Sequence, residues 1–274
     1  MAVHTSIFYH LGLAPGDVYL PVGAIVDQVF GYRNGGHVPS VPMSLAALAA
    51  TGLNTMDDDT STLTAARVQS PKTVISPAYV RPINAVANFP DDPAVCAFAA
   101  NSVVMRSGEE ISASAVVKLN GTAVTCPAVI VAWFYDRLEP VPGAESYWVP
   151  FTAPLPTVGS TTAWQTLAIT FQDTTTLPAG RYAILGMQLV RPDAGDTIHP
   201  VLCGRLVIPG EVLRPGVITS PSATALTPPL ASDRSLGVWG HFDAQLPPSL
   251  EVFSPVSASA ATLYGFLCVA QVSR

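Results

Sequence analysis

The sequence predicts an all-β fold, because turn-forming residues are dispersed along its whole length, short runs alternate between apolar and polar side chains, and turn signals separate those runs. Of 274 residues, 26 are Pro and 20 are Gly, and their spread leaves no room for long helices. In the clearest run, Ile111, Ala113, Ala115, Val117 and Leu119 alternate with Ser112, Ser114, Val116 and Lys118, the period of two of a strand with one buried face. Asn120-Gly121 closes that run as a hairpin turn. The following run, AVIVAWFY at Ala128 to Tyr135, is apolar at both parities, so both its faces are expected to be covered, in the middle of a sheet or at an interface.

The same grammar places earlier strands near Ser6 to Leu11, Val18 to Val22, Ala24 to Phe30, Leu63 to Gln69, Val74 to Tyr79, Ile83 to Phe89 and Val95 to Val104. Later ones fall near Tyr147 to Thr152, Trp164 to Phe171, Arg181 to Val190, Val201 to Ile208, Leu236 to Asp243, Leu250 to Phe253 and Leu263 to Val272. Clusters such as Leu177-Pro178-Ala179-Gly180 and Pro209-Gly210 supply the turns between them. One segment departs from the pattern. Met43 to Ala50 is rich in Ala and Leu, with Pro42 before it and Gly52 after it, so a short helix is expected near 43–50.

Glu139-Pro140-Val141-Pro142-Gly143 is the best linker, too short to be a flexible tether. It divides the chain into 1–138 and 144–274, each with a similar number of strands. Sheet edges invite unwanted pairing, and eight-stranded jelly rolls are one way to manage them. Two jelly rolls of about 135 residues each, side by side, fit the length; immunoglobulin-like sandwiches leave similar patterns in sequence.

Composition narrows the function. Charged residues make up 12% of the chain and hydrophobic ones 49%, about half the usual charged share, which points to surface covered by partners. A net charge of -6, a pI near 5.2 and thirteen scattered basic residues argue against a nucleic-acid-binding surface, which needs clustered Lys and Arg. Lys72 and Lys118 are the lysines and arginine supplies the remaining positive charge, a skew that fits either interface chemistry or a GC-rich genome. Cys96, Cys126, Cys203 and Cys268 lie far apart without zinc-ligand spacing and read as small buried hydrophobes. No secretory signal is expected at the N-terminus. The uncharged stretch Asn34 to Met56 is broken by Pro39 and Pro42 and is too short in its apolar part to span a bilayer.

Three runs in the second half carry a resemblance: LPAGRYAILGMQLV at Leu177 to Val190, GRLVIPGEVLRPGVI at Gly204 to Ile218, and SLGVWGHFDAQLPPSLEVF at Ser235 to Phe253. They resemble the C-terminal part of double jelly-roll major capsid proteins from tailless icosahedral phages and related environmental viruses. The resemblance covers about a quarter of the chain. It implies trimers of pseudo-sixfold outline, upright barrels, contacts with other virion proteins such as penton or spike, often a membrane beneath the shell, and a virion protein made in the host cytoplasm. The alternative is a carbohydrate-binding or adhesive β-sandwich, such as a virion spike or surface protein, with Tyr147, Trp148, Trp164 and Trp239 as a stacking platform.

Motifs for chemistry are sparse. His4, His10, His37, His199 and His241 form no helical metal pair. His241 and Asp243 share a strand face and read as a hydrogen-bonded edge residue and a turn cap rather than a cation site. Asp57-Asp58-Asp59 is the densest carboxylate run, without the glycine spacing of a calcium loop. Glu109-Glu110 reads as a turn, since strand neighbours point to opposite faces. Gly35-Gly36-His37 is a turn signal, and Asn120-Gly121-Thr122 a hairpin rather than a glycosylation site. No nucleophile elbow or phosphate loop occurs. The expectation is a non-enzymatic protein with no catalytic, cofactor or metal residues and no cofactor.

Overall fold

A computed structural model describes residues 3–24, 36–37, 43–52, 62–69, 76–79, 95–97, 104–105, 110–118, 126–135, 143, 145–157, 164–172, 177–190, 203–211, 214–218, 237–253 and 260–273. Every regular element among them is a β-strand. The chain forms two compact units, one of Ser6–Asp136, the other joining Met1–Thr5 to Arg137–Arg274.

In the first unit the strands are β1 (Val3–Leu13, whose first residues belong to the second unit), β2 (Leu20–Ala24), β3 (Gly36–His37), β4 (Met43–Gly52), β5 (Thr62–Gln69), β6 (Ser76–Tyr79), β7 (Val95–Ala97), β8 (Val104–Met105), β9 (Glu110–Lys118) and β10 (Cys126–Tyr135). They follow one hydrogen-bonded path, β6-β5-β9-β2-β1-β10-β4-β7, with the two-residue strands β3 on β9 and β8 on β4.

The second unit holds β11 (Ser146–Leu155), β12 (Gln165–Leu167), β13 (Thr170–Phe171), β14 (Arg181–Val190), β15 (Cys203–Val207), β16 (Gly216–Ile218), β17 (Gly240–Asp243), β18 (Ser249–Phe253) and β19 (Ala261–Ser273). They form two sheets, β13-β11-β19-β14-β17 and β12-β18-β15-β16. A Cβ at Gly204 of β15 would lie 2.5 Å from Leu189 of β14, so the two sheets pack face to face as a sandwich.

Setting aside the two-residue strands, each unit has eight principal strands among the described residues. Numbered first to eighth within its unit, they run first-eighth-third-sixth in one group and second-seventh-fourth-fifth in the other, in both units. In the first unit the β1–β2 pairing, Phe8 opposite Ala24, joins the two groups into one path. This is the connection order of a jelly roll, in which the chain crosses repeatedly between two four-stranded sheets.

The helix expected near 43–50 is a strand. β4 pairs with β10 from Gly52 opposite Ala128 to Ser44 opposite Tyr135, and on its other edge with β7, Leu48 opposite Cys96. Helix propensity differences are fractions of a kcal/mol per residue, and hydrogen-bonded neighbours on both edges outweigh them. Gly52 is a ladder residue here and caps no helix.

β10 lies between β1 and β4, and Ile130, Ala132, Trp133, Phe134 and Tyr135 are all buried. At these residues both faces of the strand are covered within the chain. β9 departs from simple alternation. Ala113, Ala115 and Val117 are buried as expected, but so are Ser114 and Val116 of the other parity. Arg67 of β5 lies across Ser114 and donates from Nε to its Oγ at 2.8 Å. No helix among the described residues is long and apolar enough to cross a membrane.

Candidate functional site

The second unit carries a face whose make-up follows from strand register. On β19, Leu263, Gly265 and Leu267 point into the sandwich and Thr262, Tyr264 and Phe266 point out. Its neighbour β11 sets Trp148 opposite Cys268, Pro150 opposite Phe266 and Thr152 opposite Tyr264, so these side chains share the outward face. Toward one end that face is covered: Ala183, Leu185, Val238, Cys268 and Ala270 form a small buried cluster, and Trp239 N–H donates to Ile184 O at 2.7 Å, holding the covering segment down. Toward the other end Trp148, Phe266 and Tyr264 stay 38%, 38% and 47% exposed. Among the described residues, uncharged polar groups stand beside them. Gln188 stands opposite Phe266, and Gln172 Nε2 donates to Thr152 Oγ1 at 3.0 Å.

On the four-stranded sheet, Arg205 is 2% exposed and its Nε donates to Glu251 Oε2 at 2.6 Å. Its guanidinium lies 4.0 Å from the centroid of Trp164, and Trp164 in turn tilts against Phe253 at 5.7 Å. A buried guanidinium is thus held by one carboxylate and one aromatic face, a combination suited to locking strands together.

These positions break the aromatic platform that the alternative, carbohydrate-binding reading needs from Tyr147, Trp148, Trp164 and Trp239, rings for which core packing is the first expectation. Trp239 is fully buried, Trp164 lies beneath Arg205, and Tyr147 is half-buried. Burial, with a Tyr182 hydrogen bond, pushes the Tyr147 hydroxyl up to about 12. Trp148 alone of the four presents a ring to solvent, and its exposed companions are Tyr264 and Phe266. Sequence reading missed these two because LYGFLCVA is apolar at both parities; Gly265 between them was the available signal of a special position.

His241 and Asp243 share the face of edge strand β17, with Asp243 opposite Arg181. Leu246 N–H donates to Asp243 O at 2.8 Å in the turn that follows. Among the described residues no three His, Cys, Asp or Glu side chains gather around one point. Asp57-Asp58-Asp59, Asn120-Gly121-Thr122 and the side chains of Glu109 and Glu110 lie outside the described residues; Gly36 and His37 form β3, opposite Ile111 and Glu110 of β9. Cys203 and Cys268 are buried. Burial raises the Cys203 thiol well above its ordinary range, so almost no thiolate exists near neutrality. Iodoacetamide at pH 8, followed by peptide mass spectrometry, is expected to leave Cys203 unlabelled in the native chain and to label it fully in denaturant.

No family model and no curated protein matches the chain. Among solved structures it is similar to the crystal structure of the STIV MCP, at 14% identity and a TM-score of 0.28, over 99% of this chain and 97% of that one. It is also similar to a chain in the atomic structure of Sulfolobus Turreted Icosahedral Virus, at 11% identity and the same TM-score, over 99% and 91%. A TM-score of 0.28 is too low to establish a common fold, and the reading that follows rests on the chain's own topology.

Proposed function

We propose that this chain is a viral major capsid protein, a non-enzymatic building block that self-assembles into an icosahedral shell through trimeric, pseudo-hexameric capsomers built from two tandem jelly rolls. The observation that carries the reading is the repeated connection order, first-eighth-third-sixth with second-seventh-fourth-fifth, in both compact units. Two similar units in one chain let three copies present six similar modules, which is what a pseudo-hexagonal lattice tile requires.

Composition and surface agree with this. A chain with 12% charged residues and three exposed aromatic rings on one sheet face has surface that contact with further copies covers well. The reading places the working protein in the virion, with penton or spike proteins and an underlying membrane as further neighbours. Stable contacts bury about 800 Å² per partner or more, and apolar ones are not screened by salt.

Sedimentation velocity of the purified chain across micromolar concentrations is the test. One discrete oligomer that persists when salt is raised severalfold is expected, whereas a monomer at every concentration would reject the reading.

A further inference from the structure

The jelly-roll order allows the two units to be compared strand by strand, and the comparison isolates one site. Arg67 lies on the fourth principal strand of the first unit, opposite Ser114 on the seventh. Arg205 lies on the fourth of the second unit, opposite Glu251 on the seventh. Leu20 pairs with Ala115, and Gln165 with Val252. The preceding residues, Tyr19 and Trp164, therefore come alongside Val116 and Phe253, each two positions past Ser114 or Glu251. Both aromatic rings lie under the guanidinium of their own unit, 4.1 Å from Arg67 to Tyr19 and 4.0 Å from Arg205 to Trp164.

Two of the three elements thus correspond, the arginine and the ring beneath it. The third, the residue across the strand, does not, because Ser114 stands where the other unit has Glu251. Arg205 is closed off by its carboxylate and is 2% exposed. Arg67 Nε donates to the Ser114 hydroxyl at 2.8 Å, meets no carboxylate among the described residues, and remains part-exposed. The serine hydroxyl satisfies Nε without supplying charge, so this guanidinium, a fork that pairs bidentately with oxyanions, lacks at that position the carboxylate that Arg205 has.

We propose that Arg67, Tyr19 and Ser114 form an oxyanion-binding site, in which a carboxylate or phosphate group supplies to Arg67 the negative charge that Glu251 supplies to Arg205 in the second unit. The Tyr19 face holds the guanidinium plane and Ser114 takes its Nε, which leaves the Nη groups as the donors for an incoming anion. Two sources carry this chemistry: a free oxyanion, or an Asp or Glu carboxylate of a second copy. The site itself does not depend on the assembly reading.

The test uses the full chain as wild type, Arg67→Gln and Ser114→Glu, with thermal unfolding in chloride and in millimolar inorganic phosphate at matched ionic strength. For a free oxyanion, phosphate should raise the wild-type midpoint by about 2–4 °C. Arg67→Gln should lose that response. Ser114→Glu, which supplies the missing carboxylate internally, should melt higher in chloride and gain nothing from phosphate. Sedimentation of the same three proteins separates the sources. Association weakened in both variants identifies a carboxylate of a second copy, whereas association unchanged beside a phosphate response confined to wild type identifies a free oxyanion. Equal phosphate responses and equal association in all three proteins would overturn the proposal.

Discussion

Glu251→Ala is expected to be among the most destabilising single substitutions in the second unit. It removes the carboxylate 2.6 Å from Arg205 Nε and leaves a guanidinium only 2% exposed without that counter-charge. Removing one partner of a buried pair costs about 3–5 kcal/mol, which at roughly 2–4 °C per kcal/mol for a chain of this size lowers the melting midpoint by about 10 °C. The Trp164 ring cannot compensate, because a cation–π contact is worth about 1–2 kcal/mol and is already present. Replacing both members, Arg205→Leu with Glu251→Leu, is expected to restore most of the loss, since two apolar residues there need no partner. Calorimetry of the single and double variants checks this. A double variant as unstable as Glu251→Ala would mean that packing, not charge, holds the site.

The second large effect is expected at Gly265. In the β11–β19 pair it stands opposite Phe151, and a Cβ there would lie 2.1 Å from Phe151 Cζ and within 2.7 Å of both Cε atoms. Phe151 is 1% exposed, so its ring has no free space into which to move. Ring over glycine is a way for a sheet to cover backbone that has no side chain of its own. Gly265→Ala should cost about 3 kcal/mol, the upper end for overpacking. Phe151→Leu shortens the clashing side chain and should recover part of that cost, so the two changes together are expected to be less harmful than their sum. Denaturant unfolding of the two single variants and the double checks the coupling; strict additivity would show that the ring had room to yield.

Much of the fold was legible because strands with one strong signal need little tertiary information. Arg181 to Val190 was bounded by Gly180 before it and polar residues after it, and β14 has those bounds. The two-faced apolar run at Ala128 to Tyr135 did identify a strand covered on both sides. Met43 to Ala50 reads as a helix because Ala and Leu favour helices locally, while the decision lies with β10 and β7, far away in sequence. The exposed aromatic face was hidden for a related reason. Tyr264, Phe266 and Trp148 come together only through the register of β19 on β11, and no spacing within either strand reveals it. Likewise Arg67 and Arg205 are unremarkable in the sequence, and their correspondence appears only when the strand orders of the two units are matched.

Electron microscopy of the purified chain tests the central claim most directly. The account predicts particles of one size, larger than a monomer, with threefold averages of pseudo-hexagonal outline and closed shells where assembly goes further. A uniform field of monomers, at concentrations where the chain is folded by circular dichroism, would contradict it.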